Sequence, residues 1–397
     1  MQTRRFPRQR DKARHQRVAF ERSVEAPSGW LSVDARRRLF LPQGSSQLQE
    51  YCLRFFLWQR WQLILAQMAL RTRHLVGFSH ILAASELEVE VACHSDAFFE
   101  FGKLFGEGVF DAAFRVGSSG PNQKTSALAI PRAGANQTFL KCAARGSADE
   151  TIRKEVSWLS RLAALRILRG NIPELLRSGN MRGGRAYMMT SVSPTLNSTP
   201  NLTKQHEWFL AELGRATGEW CPYGETDEAS RIANLLSDLQ EVLAPAIHAD
   251  LLAGWEDALS VLAGWEGPFV VAHRDFAPWN VRWSPQGVFV FDWEYATRQA
   301  NPLHDFYHFH LVRPALSRWE QINRGDLSRL TRAARDYGRQ TYFKARWDND
   351  VVYAFLLTYL LDVVLFYTNS GRLFDEKHPI LSTYYSLIRL RERWFCK

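Results

Sequence analysis

His273-Arg274-Asp275-Phe276-Ala277-Pro278-Trp279-Asn280, followed shortly by Val288-Phe289-Val290-Phe291-Asp292-Trp293-Glu294, is the stretch that decides the reading. The spacing His273-x-Asp275-x-x-x-x-Asn280 puts a carboxylate and an amide on one tight loop. Residues 288–291 form a short apolar run rich in Val and Phe, which predicts a buried strand. That strand delivers a second carboxylate, Asp292, directly after its end. Such an array suits phosphoryl transfer from ATP. Asp275 is placed to accept a hydroxyl proton, while Asn280 and Asp292 offer hard oxygen ligands for magnesium. His273 is expected to brace the loop. Glu294 is expected to bind magnesium through water or to brace its turn. Asp305, in Pro302-Leu303-His304-Asp305, is expected to hydrogen-bond the catalytic loop. His304, His308 and His310 have imperfect ligand spacing and no cysteine nearby, so no zinc site is expected there.

Upstream, residues 109–116, 126–130 and 138–143 read as strands, and residues 149–168 as a helix with an apolar stripe at Val156, Leu159, Leu162 and Ala163. Lys141 falls in the middle of the third strand, between Leu140 and Cys142. A lysine in an apolar strand needs a counter-charge, because an unpaired buried charge is costly. Glu155 on the following helix supplies it, with Glu150 as the rival. The pair would hold the ammonium towards the α- and β-phosphates. The turn Gly117-Ser118-Ser119-Gly120 joins the first two strands, and its backbone N–H groups are suited to cradling phosphate oxygens. It is not a Walker A loop, because Gly120 and Lys124 are not adjacent. Two further strands follow, in the regions 172–179 and 185–192. The chain after about 203 reads as mostly helical apart from the catalytic hairpin. Strands first and helices after predict an α+β architecture in two lobes.

Composition narrows the class. A chain of 397 residues with a hydrophobic fraction of 46% can bury a sizeable core. Its five cysteines are scattered, which argues against a disulfide framework or a zinc site and for a reducing, cytoplasmic compartment. Residues 1–22 carry eight Lys/Arg against Asp11 and Glu21, six of the nine net positive charges. The expected state of this tail is disordered and solvated, with an anionic surface as its possible contact. The remaining charge is too small to imply a nucleic-acid partner. The apolar run at 354–367 contains Thr358 and Asp362, and reads as a buried helix rather than a membrane span. Residues 48–70 look helical and 87–92 strand-like.

These residues resemble the aminoglycoside phosphotransferase and choline kinase superfamily, with its bilobal protein-kinase-like fold. The resemblance runs from about Phe114 to Tyr367. Its most specific parts are the His273–Asn280 loop and Phe291-Asp292-Trp293-Glu294, with support from Pro302-Leu303-His304-Asp305. Asn171-Ile172-Pro173 and Tyr187-Met188-Met189-Thr190-Ser191-Val192 resemble the family's fourth and fifth strands and hinge. The resemblance implies a small β-rich N-lobe at 108–192, a helical catalytic C-lobe at 193–397 and an N-terminal extension at 23–107. It also implies Mg-ATP, or GTP, as phosphoryl donor, with adenine bound by backbone between Thr190 and Val192. Arg274 departs from the family, which usually has glycine at that position. Only twelve residues separate Asp292 from Asp305, leaving little room for an activation segment. A small hydroxyl-bearing acceptor is therefore expected rather than a protein: a sugar, a glycan, an aminoglycoside-like compound or another metabolite. Asp348, Asp350, Asp362, Asp375 and Glu376 are acids that a cationic acceptor could use. The alternatives are a catalytically weak binding protein on this scaffold and a glycan or lipid-linked kinase at a membrane surface.

Overall fold

The computed structural model describes residues 30–32, 39–42, 46–56, 83–84, 101, 110–117, 122–131, 137–144, 146–181, 184–193, 195–317, 324–371 and 373–395. The basic tail, residues 57–70, the strand expected at 87–92, and Ser118, Ser119 and Gly120 lie outside them. The chain divides into two compact units, residues 1–156 with 175–192, and residues 157–174 with 193–397.

The first unit is built on an eight-stranded antiparallel sheet. Its strands are β1 (Trp30–Ser32), β2 (Leu39–Pro42), β3 (Ala83–Ala84), β4 (Phe110–Val116), β5 (Lys124–Pro131), β6 (Thr138–Ala143), β7 (Leu175–Asn180) and β8 (Ala186–Ser191). They lie in the order β3-β1-β2-β4-β5-β6-β8-β7. The sheet therefore runs past the boundary expected at 108. Leu39 and Phe40 of β2 pair with Arg115 and Phe114 of β4. The strand is only four residues long, too short for periodicity to reveal.

Alternation along the strands sends side chains to two cores, as a period of two requires. Phe114, Val116, Ala127, Leu140 and Cys142 meet Phe40, Tyr187 and Met189 on one face. Ala113 and Leu128 meet Leu39 and Leu41 on the other, under Cys52, Leu53 and Phe56. Those last three lie on helix α1 (Ser46–Phe56), the described part of the helix expected at 48–70. Helix α2 (Gly146–Ala163) follows β6 almost at once.

The second unit is mainly helical. It comprises α3 (Lys204–Thr217), α4 (Asp227–Asp238), α5 (Pro245–Leu262), α6 (His304–Leu316), α7 (Arg324–Thr341), α8 (Asn349–Gly371), α9 (Pro379–Arg389) and the short α10 (Glu392–Phe395). The hairpin of β11 (Val281–Ser284) and β12 (Gly287–Val290) is present. A three-stranded sheet accompanies it, in which β10 (Glu266–Ala272) lies between β9 (Glu219–Pro222) and β13 (Thr297–Ala300). Sequence periodicity did not announce β9 or β13, because both are four-residue edges whose exposed positions carry no alternation.

Helix α8 is the core of this unit. It extends the apolar run to 23 residues, long and apolar enough by composition to cross a membrane, yet 83% of its apolar window is buried within the protein. Phe355 sits fully buried against Trp265, at 4.9 Å between ring centroids, with Phe269, Tyr223 and Trp347 around it. Such edge-to-face pairs add to the area term of burial.

Candidate active site

In the first unit, Lys141 lies on β6 opposite Ser126 and Met188. Its neighbours Leu140 and Cys142 point into the core on one face, which turns Lys141 to the other. Its Nζ reaches the two carboxylate oxygens of Glu155 at 3.0 and 2.8 Å. Both residues are buried, so each charge depends on the other. The rival, Glu150, pairs instead with Lys154 on the exposed face of α2 at 2.7 Å. α2 is anchored near its start, where Asp149 accepts a hydrogen bond from the Ala186 N–H at 2.8 Å.

Gly117 closes the turn before β5, donating its N–H to the Lys124 carbonyl at 2.8 Å. A Cβ there would fall 2.9 Å from that same oxygen, so only glycine permits the closure. Gln123 ties the turn from within by donating to the Gly117 carbonyl at 3.3 Å. Thr190 is buried near the end of β8, opposite Phe139 and Leu175, and Val192 follows the strand.

In the second unit, β10 ends at Ala272 and the loop begins at His273. Asp305, at the start of α6, accepts the N–H groups of His273 at 2.7 Å and of Arg274 at 2.9 Å. Burial pushes the Asp305 carboxyl up from its ordinary value, while His273 and the two N–H donors pull it partly back. His273 is wholly buried and its tautomer is fixed by its neighbours. The Asp275 N–H points at Nδ1 at 3.2 Å, so Nδ1 accepts. Nε2 must then carry the proton that meets the Phe291 carbonyl at 3.0 Å. His273 thus ties the loop that bears Asp275 to the strand end that bears Asp292. Its ring also packs edge-on against Trp293 at 4.6 Å. Trp293 is itself fully buried and donates Nε1–H to the Val290 carbonyl at 2.9 Å.

Asn280 donates its amide to Asp275 Oδ2 at 2.7 Å and to the Asp275 carbonyl at 3.0 Å. Both partners are acceptors, which forces the amide nitrogen towards them. The amide oxygen is then the atom left for a cation. The other Asp275 oxygen, Oδ1, faces His308 Nε2 at 3.3 Å. Asp292 has φ 73° and ψ 57°, the left-handed region, between β12 and the turn at Trp293. Aspartate tolerates this better than most residues. Glu294 is buried on the same turn.

Two residues of this site carried signals that could have placed them. His308 is three residues after Asp305, so the two share a face of α6. Asp362 is a carboxylate inside an apolar helix, which demands partners. It is fully buried and meets Arg274 Nη2 at 2.7 Å and Arg231 Nε at 3.0 Å. Burial alone would raise its pKa, but the two arginines outweigh it and hold the carboxyl well below the ordinary range. It is therefore not among the acids open to a cationic acceptor. Arg274 itself has φ 66°.

Residues 125–347 match the model of the phosphotransferase enzyme family, more than half of the chain. No curated protein matches the sequence. Among solved structures, a thermostable mutant of aminoglycoside phosphotransferase APH(4)-Ia in ternary complex with ADP and hygromycin B is 14% identical, covering 72% of this chain and 94% of its own, at a TM-score of 0.46. Amicoumacin kinase hAmiN with AMP-PNP, Ca2+ and Ami is 11% identical, covering 69% and 87%, at a TM-score of 0.42. The GDP and kanamycin complex of APH(2")-IIia is 14% identical, covering 70% and 93%, at a TM-score of 0.42.

Proposed function

Given that the chain belongs to the phosphotransferase enzyme family, we propose that it transfers the γ-phosphoryl group of Mg-ATP to a hydroxyl of a small molecule, with Asp275 as the base. The observation that carries this reading is the arrangement of Asp275. Its backbone and both carboxylate oxygens are held by His273, Asn280 and His308. The carboxylate nevertheless keeps 27% of its side-chain surface open to solvent, where a hydroxyl could approach. A base in phosphoryl transfer contributes mainly by orienting the acceptor, so a held carboxylate suits the task.

The donor set fits magnesium. The Asn280 amide oxygen and the Asp292 carboxylate are hard ligands, and the Asn280 nitrogen is already committed to Asp275. A bound magnesium ion would neutralise charge on the phosphates. Lys141, fixed by Glu155, is the residue assigned to the α- and β-phosphates, and backbone from Thr190 to Val192 to the adenine. The acceptor class is a sugar, a glycan or a comparable metabolite. The removal of Asp362 from the accessible acids counts against a polycationic one.

A thermal-shift titration with ATP and GTP, with and without magnesium, tests the donor half. Stabilisation should grow as RT ln(1 + [L]/Kd) and should require magnesium. No shift at millimolar nucleotide in a folded sample would contradict the proposal.

A further inference from the structure

The two oxygens of Asp275 have different partners, and the partner of Oδ1 is the end of a longer chain. His308 Nε2 faces Oδ1 at 3.3 Å. His308 Nδ1 meets the Tyr359 hydroxyl at 3.2 Å, and that hydroxyl meets the Tyr384 hydroxyl at 2.8 Å. His308, Tyr359 and Tyr384 are all buried, at 3%, 0% and 0% exposure, so water is not available to take over these bonds. The three come from α6, α8 and α9, so the chain crosses the helical core to reach the loop.

Direction along the chain follows from hydrogen-bond chemistry. An ionised carboxylate only accepts, so the contact requires a proton on His308 Nε2. In the neutral ring Nδ1 is then an acceptor, and the Tyr359 O–H must supply it. Tyr359 oxygen in turn accepts from the Tyr384 O–H. With the ring neutral, all three donors point the same way, towards Asp275.

We propose that His308 is a positioning residue for Asp275, held in its Nε2–H tautomer by Tyr359 and Tyr384, and that this chain fixes the Asp275 carboxylate for the acceptor hydroxyl. The inference rests on the assignment of Asp275 as base. Asn280 alone would leave the carboxylate free to swing about its one bound oxygen. The second donor fixes the plane of the group. A displacement of about 1 Å at such a base costs on the order of a hundredfold in rate.

The test uses the full chain, with Mg-ATP as donor and water as acceptor, followed by phosphate release. His308→Phe should lower kcat about tenfold to a hundredfold and leave KM for ATP within about twofold. Tyr359→Phe should lower kcat in the same sense, and the double variant should be no slower than His308→Phe alone. Where His308→Phe does not fold, His308→Gln serves, and its amide should restore part of the rate. A kcat at the wild-type level in these variants, or losses that multiply in the double variant, would overturn the inference.

Histidine-selective nitrogen-15 spectra supply a readout that a merely structural role would not move. The His308 signals, identified by their loss in His308→Gln, should show the neutral Nε2–H form in wild type and change in Tyr359→Phe. The opposite tautomer in wild type would overturn the proposal. Asp275→Asn separates the two levels of argument. If it retains the wild-type rate, the assignment of the base itself fails. If it abolishes turnover while His308→Phe turns over at the wild-type rate, only the positioning chain fails.

Discussion

Arg274 and Asp362 stand 88 residues apart in sequence and are joined at 2.7 Å in the core of the helical unit. Arg274 occupies a left-handed backbone position on the loop that carries Asp275. A non-glycine residue there costs roughly 1–2 kcal/mol. Here a side chain is retained because its guanidinium bonds Asp362 through Nε and Nη2, and lies over the Phe366 ring at 5.1 Å.

Asp362→Asn should destabilise the protein by about 3–5 kcal/mol, since it removes the fully buried charge that two partly buried guanidinium groups share and leaves them facing a neutral amide. Chemical denaturation with unchanged m-value checks this. A loss below about 1 kcal/mol would mean that the arginines find other partners.

Glu228 gives a pH dependence. It is fully buried on α4 and accepts the Asn301 N–H at 2.7 Å. Burial, aided by Asp362 and opposed by Arg231, pushes its carboxyl from 4.5 up to about 7. The native state therefore binds more protons than the unfolded chain between those values. The stabilisation is complete below about 4.5 and is lost as pH rises through 7. Glu228→Gln should raise Tm relative to wild type at pH 8 by about 2 °C or more than it does at pH 5. An equal difference at both values would contradict the shift.

Lys141→Ala should raise the ATP concentration needed for half-maximal thermal stabilisation about tenfold or more, because it removes the assigned cation from the phosphates. Glu155→Gln should act in the same direction and also lower Tm, because it neutralises the carboxylate whose two oxygens meet the buried Lys141 ammonium. Unchanged nucleotide affinity in both would remove Lys141 from the site.

Asn280→Asp tests the amide. It replaces a donor 2.7 Å from Asp275 Oδ2 with a second carboxylate. Like charges at that distance force one to protonate, so the pH dependence of phosphate release should gain a new acidic limb and turnover should fall about a hundredfold. Wild-type turnover would show that Asn280 does not orient Asp275.

The sequence was readable where chemistry and periodicity coincide. β6 was read with its observed bounds, because a core strand carrying one lysine has few readings, and Glu155 was the partner that helical spacing offered. The candidate loop could be singled out because Asp275, Asn280 and Asp292 sit close together in the chain. What was not legible depends on long-range contacts. The partners of Asp362 lie 131 and 88 residues away, and His308 is 33 residues from Asp275. His308 was weighed as a metal ligand with His304 and His310 because sequence spacing exposes neighbours, not what a helix face meets. β9 and β13 escaped for a different reason. Short edge strands are defined by pairing with β10 rather than by their own pattern.

The central claim is tested most directly by Asp275→Asn, measured for both Mg-ATP binding and phosphate release. The account predicts thermal stabilisation by Mg-ATP close to that of wild type, with turnover reduced about a hundredfold or more. Turnover near the wild-type level, in a variant that still binds nucleotide, would contradict it.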